Sequence, residues 1–449
     1  MKTSKRVIDV DMVGLESHFK NIFTERNQKD NPNAEETKKN IDNFKEKYFN
    51  NIFNFEIKEK EIENAITSLR NGKSVGFGCV SNEMVKYTCS NDLVVILKTV
   101  FEKMINFQVV PYLFNISVLK PLVKCSKKSN KDINNLRPVS ISDVITNLYE
   151  KILLNNIEKQ HIDHRKQFGF KKDSSCSHAV FILKQAIKVS KSEGKNLYVC
   201  AIDASKAFDK VNREILWNKL IKKNINPAID IALMEYYKYF LMLVQNENEY
   251  SNIFETKTGV KQGGAASPRL FSVYIEGLIE RVEKLKVGIF IGGVKVDIIV
   301  YADDVLLIST SLSGLQKQLD VVHKYGIDNE IKYNPEKTVY LRFGTTENKT
   351  RVTLKLGETP ICEVSETKYL GIEISNVNEN KVHLDKRKQL ALQAYYKLKR
   401  LGLLNEQIHS NLKSQLYKIY IRPVLFYGIE CIYLTKMEKL SIKRFEGNI

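Results

Sequence analysis

The chain has 449 residues, which is too long for one small core and suits two or three coupled subdomains. Its composition, 43% hydrophobic and 27% charged, is ordinary for a globular protein, and no apolar run approaches the 18 residues of a membrane-spanning helix. Seven scattered cysteines without a CxxC pair favour neither a disulfide framework nor a thiolate zinc site. We therefore expect a soluble, intracellular protein that does not bind membranes.

The net charge is unusual and unevenly distributed. There are 70 Lys and Arg against 52 Asp and Glu, a formal charge of +18. Residues 1–63 hold 12 basic and 13 acidic side chains, whereas residues 381–449 hold 14 basic and 5 acidic ones. Such an excess indicates a polyanionic partner, because cations that neutralise phosphates release condensed counterions. A solvated basic helical face is the alternative explanation.

The first part of the chain has a helical pattern. In residues 1–65, apolar positions such as Phe44, Tyr48, Ile52 and Phe55 recur at helical spacing, so we expect helices around a polar segment near 25–40. The glycine-containing segment NGKSVGFGCV lacks the GxxxxGK[ST] spacing of a phosphate loop. It predicts an ordinary turn, followed by a helix to about residue 107.

From residue 116 onwards the pattern becomes mixed. The segments ISVLKPLVKC and LRPVSIS are β-like, and a helix is predicted over 143–158. Of three later apolar stretches, LYVCAID and VDIIVYADDVLLIS predict buried strands, while RLFSVYI follows a glycine-rich turn. Residues 381–449 alternate basic and apolar residues at helical spacing. The predicted fold class is α+β.

Two acidic elements stand at the ends of predicted strands. Tyr301, Ala302, Asp303 and Asp304 lie between two apolar strands and predict the turn of a β-hairpin, although adjacent Asp residues also occur in ordinary turns. Asp203 closes the strand in CAIDASKAFDKV. If the strands lie side by side, three carboxylates meet at one sheet edge and supply the hard oxygen ligands that Mg²⁺ prefers.

Eight segments of the chain stand in an order that is informative. They are LRPVSISDVITNLYEKIL from Leu136, QFGFKKDSSCSHAV (167–180), KAFDKV after an apolar-Asp pair, GVKQGGAASP (259–268), YADD (301–304), NPEKTVYLRFG (334–344), KYLGIEI (368–374) and the basic region that follows. In this order they resemble the fingers segments, motifs A to E and the thumb of reverse transcriptases from non-LTR (LINE-type) retrotransposons. The resemblance covers roughly residues 70–449.

The resemblance implies a two-metal polymerase site. Asp203 and Asp303 would be the principal ligands of two Mg²⁺ ions, with Asp304 auxiliary and Mn²⁺ a possible substitute. Lys337 would act as general acid toward pyrophosphate. Phe208, five residues after Asp203, would be the steric gate that excludes a 2′-OH and so selects dNTPs, the alternative being a simple core residue.

The remaining implied roles concern the nucleotide and the primer. Lys124 and Arg137 would bind the triphosphate, with a solvent-facing charge as the alternative for each. Gln262 and Gly263 would lie against the incoming nucleotide and the template base. The primer terminus would be held by Tyr369, Leu370 and Gly371, for which a purely structural hairpin is the alternative.

The resemblance also implies a right-hand polymerase architecture, with fingers, a palm containing an antiparallel sheet, and a helical thumb. The expected domains are an N-terminal helical extension (1–65), fingers (66–194), palm with motifs A to E (195–375) and a basic helical thumb, expected to be truncated (376–449). The implied partners are an RNA template, a DNA primer, their RNA–DNA hybrid and dNTPs, with no expectation for protein partners. A nuclear location is expected from the resemblance alone.

Two functions from different classes remain open at this point. The first is an RNA-directed DNA polymerase that extends a primer 3′-OH by two-metal phosphoryl transfer. The second is a catalytically silent nucleic-acid-binding remnant that uses the same basic cleft. Polymerisation on a DNA template is a further alternative. About 65 residues precede the fingers, too few for the endonuclease domain that many such elements place N-terminally, and no CCHC or CCHH cluster follows the thumb. The chain is therefore expected to be either one fragment of an element or its decayed product.

Overall fold

The computed structural model describes residues 8–25, 31–49, 51–125, 128–344, 353–377 and 380–449. The chain divides into two compact units that alternate along the sequence. Unit 1 comprises Met1–His164, Ala204–Leu278 and Lys324–Lys332, and unit 2 comprises Arg165–Asp203, Ile279–His323 and Tyr333–Ile449.

Helices and strands alternate through the described residues. The α-helices are α1 (Met12–Thr24), α2 (Ala34–Tyr48), α3 (Glu59–Thr67), α4 (Asn82–Tyr87), α5 (Asn91–Asn106), α6 (Val144–Gln160), α7 (Cys176–Ser192), α8 (Arg213–Lys222), α9 (Pro227–Lys238), α10 (Ser267–Glu283), α11 (Leu312–Asp328), α12 (Lys381–Arg400), α13 (Ser410–Leu416), α14 (Arg422–Leu425) and α15 (Lys436–Gly447). The strands are β1 (Ile116–Val123), β2 (Leu136–Ser142), β3 (Leu197–Ile202), β4 (Leu241–Asn246), β5 (Glu249–Tyr250), β6 (Phe254–Glu255), β7 (Ile289–Ile291), β8 (Val294–Val296), β9 (Ile298–Tyr301), β10 (Asp304–Ser309), β11 (Val339–Phe343), β12 (Lys355–Leu356), β13 (Thr359–Pro360), β14 (Cys362–Glu363), β15 (Glu366–Tyr369) and β16 (Ile372–Ser375).

Unit 1 contains a sheet of order β2-β1-β4-β5, with β6 also pairing with β4. Strand β1 is antiparallel to β2 and parallel to β4. Helices α5, α6 and α9 contact one another through aromatic rings. The ring centroid of Tyr149 on α6 lies 5.2 Å from that of Phe101 on α5 and 5.7 Å from that of Tyr236 on α9. This aromatic packing joins α6, which follows the strand β2 with its RPVS segment (137–140), to α5 and α9.

Unit 2 is organised around a sheet of order β14-β11-β3-β10-β9. The central strands β3 and β10 are buried along almost their whole length, as expected for runs rich in Val, Leu and Ile. Helix α7 packs against the sheet through apolar residues at helical spacing, namely Ala179, Val180, Leu183, Ala186 and Ile187. Burial on both sides gives the two acidic strand ends a rigid support.

The C-terminal part of unit 2 is helical, as predicted. Leu384, Ala391 and Leu398 form a buried stripe along α12 and pack with Ile421 and Leu425. Between α13 and α14 the helix widens into a π-turn at Tyr417–Ile421, which ends two residues before Pro423, a residue that cannot donate a backbone hydrogen bond. Many basic side chains of this region stay exposed, among them Lys386, Lys397, Lys399, Arg400, Lys443 and Arg444.

The predicted α+β class is confirmed, with two differences in the bounds of the helices. The helix expected up to residue 107 is divided into α4 and α5, because the Ser90 hydroxyl accepts the Leu93 N–H at 3.3 Å and starts a new helix. Ile52 and Phe55 lie beyond the end of α2. The stretch RLFSVYI belongs to α10. In the described residues, no helix combines the length and the apolar character that crossing a bilayer requires.

Candidate active site

The two acidic strand ends are neighbours in the sheet of unit 2. Strands β3 and β10 are antiparallel, with Ile202 opposite Val305. Asp203, which follows Ile202, and Asp304, which precedes Val305, therefore lie at the same end of the two strands. Strand β10 also pairs with β9, with Asp304 opposite Tyr301, which makes residues 301–304 a tight hairpin that we call the YADD turn. The predicted hairpin and the side-by-side strands are therefore both present.

The carboxylates of this edge influence one another. Asp304 has considerable exposed area, yet its carboxyl group is partly dehydrated. This dehydration, together with the charges of Asp303 and Asp203, raises the pKa of Asp304 to about 6. Three negative groups are thus held at one strand end at an energetic cost that a bound cation would remove.

The donor set fits a hard divalent ion, since all three side chains offer carboxylate oxygens. Among the described residues, no three His, Cys, Asp or Glu side chains already stand close enough to ligate one ion together. Side-chain rotation at Asp203, Asp303 or Asp304 is therefore part of any joint coordination. The backbone register brings the three residues together, and their rotamers do not yet converge.

A second turn places Lys337 beside the carboxylates. The Asn334 N–H donates to the Asp203 carbonyl at 2.9 Å, and the Thr338 hydroxyl lies 3.5 Å from the Asp203 nitrogen. The Asn334 side chain accepts the N–H groups of Glu336 and Lys337, which closes the turn. As a result, the Lys337 ammonium lies 3.6 Å from the Asp203 carboxylate, where both side chains remain partly exposed.

The YADD turn rests on residues 166–169, which we call the supporting segment. Phe168 donates its N–H to Val300 at 2.8 Å, and Val300 donates to Lys166 at 3.0 Å, so the segment runs along β9. The buried Gln167 Oε1 accepts the Ala302 N–H at 3.1 Å and the Gly169 N–H at 3.0 Å. Sequence reasoning missed this role of Gln167, because Gln167 and Ala302 are 135 positions apart.

Gly169 approaches the turn so closely that it leaves no room for a side chain. A Cβ at this position would lie 2.3 Å from the Ala302 nitrogen. Ala302 itself adopts a φ of +58°, a left-handed conformation that alanine rarely takes. The supporting segment therefore fixes an unfavourable backbone conformation directly before Asp303.

In unit 1, the two cations assigned to the triphosphate belong to one β-hairpin. Arg137 stands opposite Leu122 in the β1–β2 pair, and Lys124 follows Leu122 by two residues. Lys124 lies one residue beyond β1, and its N–H donates to the Asn135 carbonyl at 2.7 Å, which keeps it beside the start of β2. Both side chains are exposed, as phosphate contact requires.

Phe208 and Gln262 have well-defined neighbours in unit 1. The Phe208 ring stacks on Phe271 with centroids 4.6 Å apart and an interplanar angle of 23°. Gln262 donates from Nε2 to the Asp209 carboxylate at 2.7 Å. Burial raises the pKa of Asp209 to about 7, an effect that Gln262 and the charges of Lys206 and Lys124 oppose. Asp209 is a contact that the sequence analysis missed, although it stands in the KAFDKV motif.

Gly263 is required by its contact with β2. It has a φ of +119°, and a Cβ would lie 2.7 Å from the Ser140 carbonyl oxygen. Ser140, in β2, also donates its N–H to the Gln262 carbonyl at 2.8 Å. Strand β2 therefore supports residues 262–264, which we call the QGG loop. The absence of a side chain at Gly263 thus allows β2 to approach this loop closely.

Buried charges lie behind the same loop. Glu150 on α6 accepts the Ala265 N–H at 2.8 Å, and Lys261 lies 3.3 Å from the Ser142 hydroxyl and contacts Tyr236. Burial raises the pKa of Glu150 and lowers that of Lys261 to about 8, while each charge opposes the shift of the other. The pair connects the QGG loop with α6 and β2.

The proposed primer-contacting residues form a hairpin turn in unit 2, which we call the YLG turn (369–371). Tyr369 pairs with Ile372 across β15 and β16, leaving Leu370 and Gly371 as the turn residues. The Tyr369 ring is buried in the core of the unit, and its hydroxyl pKa is raised by burial and by the nearby Asp304 charge. Leu370 and Gly371 are partly exposed.

Comparison with known sequences decides the family. Residues 126–374, more than half of the chain, match the family described as "Reverse transcriptase (RNA-dependent DNA polymerase)". The chain belongs to this reverse transcriptase family. The resemblance deduced from the ordered motifs is confirmed.

Relatives of this reverse transcriptase come from non-LTR elements. It is 25% identical over 389 residues to the "Probable RNA-directed DNA polymerase from transposon BS" of Drosophila melanogaster, covering 83% of this chain and 42% of that protein. It is 22% identical to the "RNA-directed DNA polymerase from mobile element jockey" of the same species, and the match covers 85% of this chain and 42% of that protein. It is 25% identical to the "Retrovirus-related Pol polyprotein from type-1 retrotransposable element R2" of Nasonia vitripennis, and the match covers 53% of this chain and 24% of that protein. The chain thus spans less than half of each of these relatives.

Proposed function

We propose that this reverse transcriptase chain is an RNA-directed DNA polymerase that extends a primer 3′-OH with dNTPs on an RNA template. The observation that carries the proposal is the register of β3 and β10, which places Asp203 beside Asp304 and the YADD turn. Family membership supports the reaction class. The relatives named as RNA-directed DNA polymerases support the choice of template.

Asp203 and Asp303, with Asp304 in an auxiliary role, would hold two Mg²⁺ ions, for which Mn²⁺ could substitute. When bound, the ions would favour ionisation of the primer hydroxyl and stabilise charge on the leaving pyrophosphate. Lys337 would protonate the pyrophosphate, and its position 3.6 Å from Asp203 supports this role.

The other residues would bind and select the substrates. Lys124 and Arg137 would pair with the triphosphate, while Gln262, oriented by Asp209, and Gly263 would contact the nucleotide and template base. Phe208, fixed by stacking on Phe271, would exclude a 2′-OH. Leu370 and Gly371, set on the buried Tyr369, would contact the primer terminus.

We assign residues 66–194 to the fingers, 195–375 to the palm and 376–449 to the thumb, after an N-terminal extension of residues 1–65. The exposed basic side chains of the thumb would hold the RNA–DNA hybrid through its phosphates, independently of sequence. Because insertion into a genome requires access to chromosomal DNA, we also propose a nuclear location.

Primer extension by the purified protein tests the proposal. With an RNA template, a DNA primer, dNTPs and Mg²⁺, the wild type should extend the primer. Asp303→Asn should lower the rate by about a hundredfold or more, because it removes a charged ligand that stabilises the transition state. Asp320→Asn makes the same charge change on the exposed face of α11 and should extend normally.

The same assay distinguishes the alternatives. Equal extension by Asp303→Asn and the wild type would refute the site, whereas hybrid binding without any extension would favour the silent remnant. Faster synthesis on DNA than on RNA templates would contradict the assigned template. Phe208→Val should reduce discrimination against rNTPs by about ten- to a hundredfold, since it removes a steric contact with the sugar.

A further inference from the structure

The YLG turn adopts a conformation that its sequence does not favour. Leu370 has a φ of +46° and Gly371 a φ of +81°, the pattern of a tight hairpin turn in which both residues are left-handed. Asparagine and glycine suit the first position, whereas leucine there is strained, because its Cβ crowds the following carbonyl oxygen. Such a conformation persists only where surrounding contacts hold it.

Two side chains from the C-terminal helical region supply those contacts. The Tyr427 hydroxyl donates to the Leu370 carbonyl at 2.9 Å, and the Arg387 guanidinium donates to the Gly371 carbonyl at 3.1 Å. Arg387 also lies over the Tyr427 ring, 5.1 Å from its centroid. Both turn carbonyls are therefore bound by one Arg–Tyr pair.

The Arg–Tyr pair is itself rigidly placed. Arg387 lies on α12 and is only 8% exposed. One turn earlier on the helix, the buried His383 accepts the Glu373 N–H on Nδ1 at 3.3 Å, which leaves Nε2 to donate to the Tyr427 carbonyl at 3.0 Å. Helix α12 thus binds β16 and residue 427 at the same time.

The fit around Gly371 excludes a side chain. A Cβ on Gly371 would lie 3.0 Å from the Tyr427 ring, and its φ would be strained for any other residue. The turn and the ring are complementary in shape as well as in hydrogen bonding. Any displacement of Tyr427 would therefore be transmitted to the exposed parts of Leu370 and Gly371.

We infer that Tyr427 and Arg387 are positioning residues for the primer terminus, which hold the YLG turn in the shape that contacts the primer 3′ end. This inference rests on the proposed function and adds to it. The residues act through the turn, without touching the nucleotide, so their loss should weaken recognition of a primer end and leave dNTP binding unchanged.

Binding to two RNA–DNA hybrids tests the inference without requiring catalysis. One hybrid has a recessed DNA 3′ end on a longer RNA strand, and the other has the same duplex with blunt ends. Fluorescence anisotropy gives the affinity for each. Tyr427→Phe removes only the hydroxyl, so the preference for the recessed end should fall by about two- to tenfold, the value of one hydrogen bond.

Matched variants separate positioning from general damage. Tyr433→Phe makes the same change on a ring that is 81% exposed and should keep the wild-type preference. Arg387→Met should lower the preference at least as much as Tyr427→Phe, because it also removes a charge-assisted bond. In extension assays, both variants should raise the KM for primer–template and leave the KM for dNTP unchanged.

The outcomes distinguish this inference from the proposed function. A wild-type preference in Tyr427→Phe and Arg387→Met would overturn the inference, as would an equal loss of affinity for both hybrids. Absence of extension by the wild type would count against the proposed function, while the anisotropy result would still decide whether the turn recognises a primer end.

Discussion

The YADD turn and the YLG turn have similar backbone conformations but are held in place by different parts of unit 2. Each is a tight hairpin turn with a non-glycine residue in the left-handed region, Ala302 at φ +58° and Leu370 at φ +46°. The YADD turn is held by backbone and amide contacts from the supporting segment. The YLG turn is held by the charged and aromatic side chains Arg387 and Tyr427. Both short turns thus depend on distant residues for their conformation.

The largest effect is expected where the YADD turn has no free space. In Gly169→Ala, a Cβ 2.3 Å from the Ala302 nitrogen must displace the turn and with it Asp303. Misplacing a catalytic group by about 1 Å costs about a hundredfold in rate, so single-turnover primer extension should fall by that factor. Gly447→Ala, which meets nothing within 4 Å, is the control. Extension by Gly169→Ala at the wild-type rate would show that the turn tolerates displacement.

A smaller effect is expected on stability from the amide that supports the same turn. Gln167→Met keeps the size of the side chain but leaves the buried N–H groups of Ala302 and Gly169 without their acceptor. The free energy of unfolding, measured with urea, should fall by about 1–3 kcal/mol. Gln407→Met, at an exposed position, should leave it unchanged. Equal stability of both variants would mean that Gln167 does not support the turn.

Acid should affect the two turns in opposite directions. The pKa of Asp304 is raised from 3.8 to about 6, so the folded protein binds a proton at a higher pH than the unfolded chain does. The stability of the YADD turn therefore falls as the pH rises from 3.8 to about 6. Burial, with the charges of Arg387 and Lys184, lowers the pKa of His383 below 6.5, although the Tyr427 carbonyl and Glu430 oppose this. The unfolded state then binds the proton more readily, and the contacts of the YLG turn weaken as pH falls below 6.5.

Amide hydrogen exchange, measured in EDTA and corrected for the intrinsic exchange rate at each pH, measures the stability of the two turns separately. Between pH 7.5 and pH 5, protection should increase at the YADD turn and decrease at the YLG turn. Asp304→Asn should remove the first response, and His383→Gln should remove the second. Parallel changes at both turns would contradict the different origins assigned to them.

The smallest effects concern the left-handed residues themselves. Ala302→Gly should relieve about 1–2 kcal/mol of backbone strain in the folded state. It should also cost about 0.5–1 kcal/mol, because glycine loses more conformational entropy on folding than alanine does. The free energy of unfolding should therefore rise by about 0–1.5 kcal/mol. Leu370→Gly should gain less, because Leu370 packs partly against the core. Thermal unfolding compares the two variants, and a marked destabilisation by Ala302→Gly would show that this backbone is not strained.

The strands, the hairpin and the neighbouring acidic residues followed from the sequence, because they rest on local patterns. Apolar runs on both sides of YADD predicted paired strands, and the motif order predicted the family. Helix boundaries were less certain, since the Ser90 cap that separates α4 from α5 was not distinguished from the surrounding polar residues.

The contacts that hold the motifs in place did not follow from the sequence. Gln167 supports Ala302 across 135 positions, and Tyr427 contacts Leu370 across 57. Asp209 lies inside a recognised motif, but its hydrogen bond to Gln262 depends on how two loops approach each other in unit 1. Such contacts arise from tertiary packing and have no spacing or composition that one sequence reveals.

The central claim is that Asp203, Asp303 and Asp304 together hold divalent ions, and calorimetric titration with Mn²⁺ tests it most directly. The wild type should bind the ion, and Asp203→Asn and Asp303→Asn should each lower the affinity by about tenfold or more, since each removes a charged ligand. Asp320→Asn should bind as the wild type does. Equal affinity in all four proteins would contradict the account.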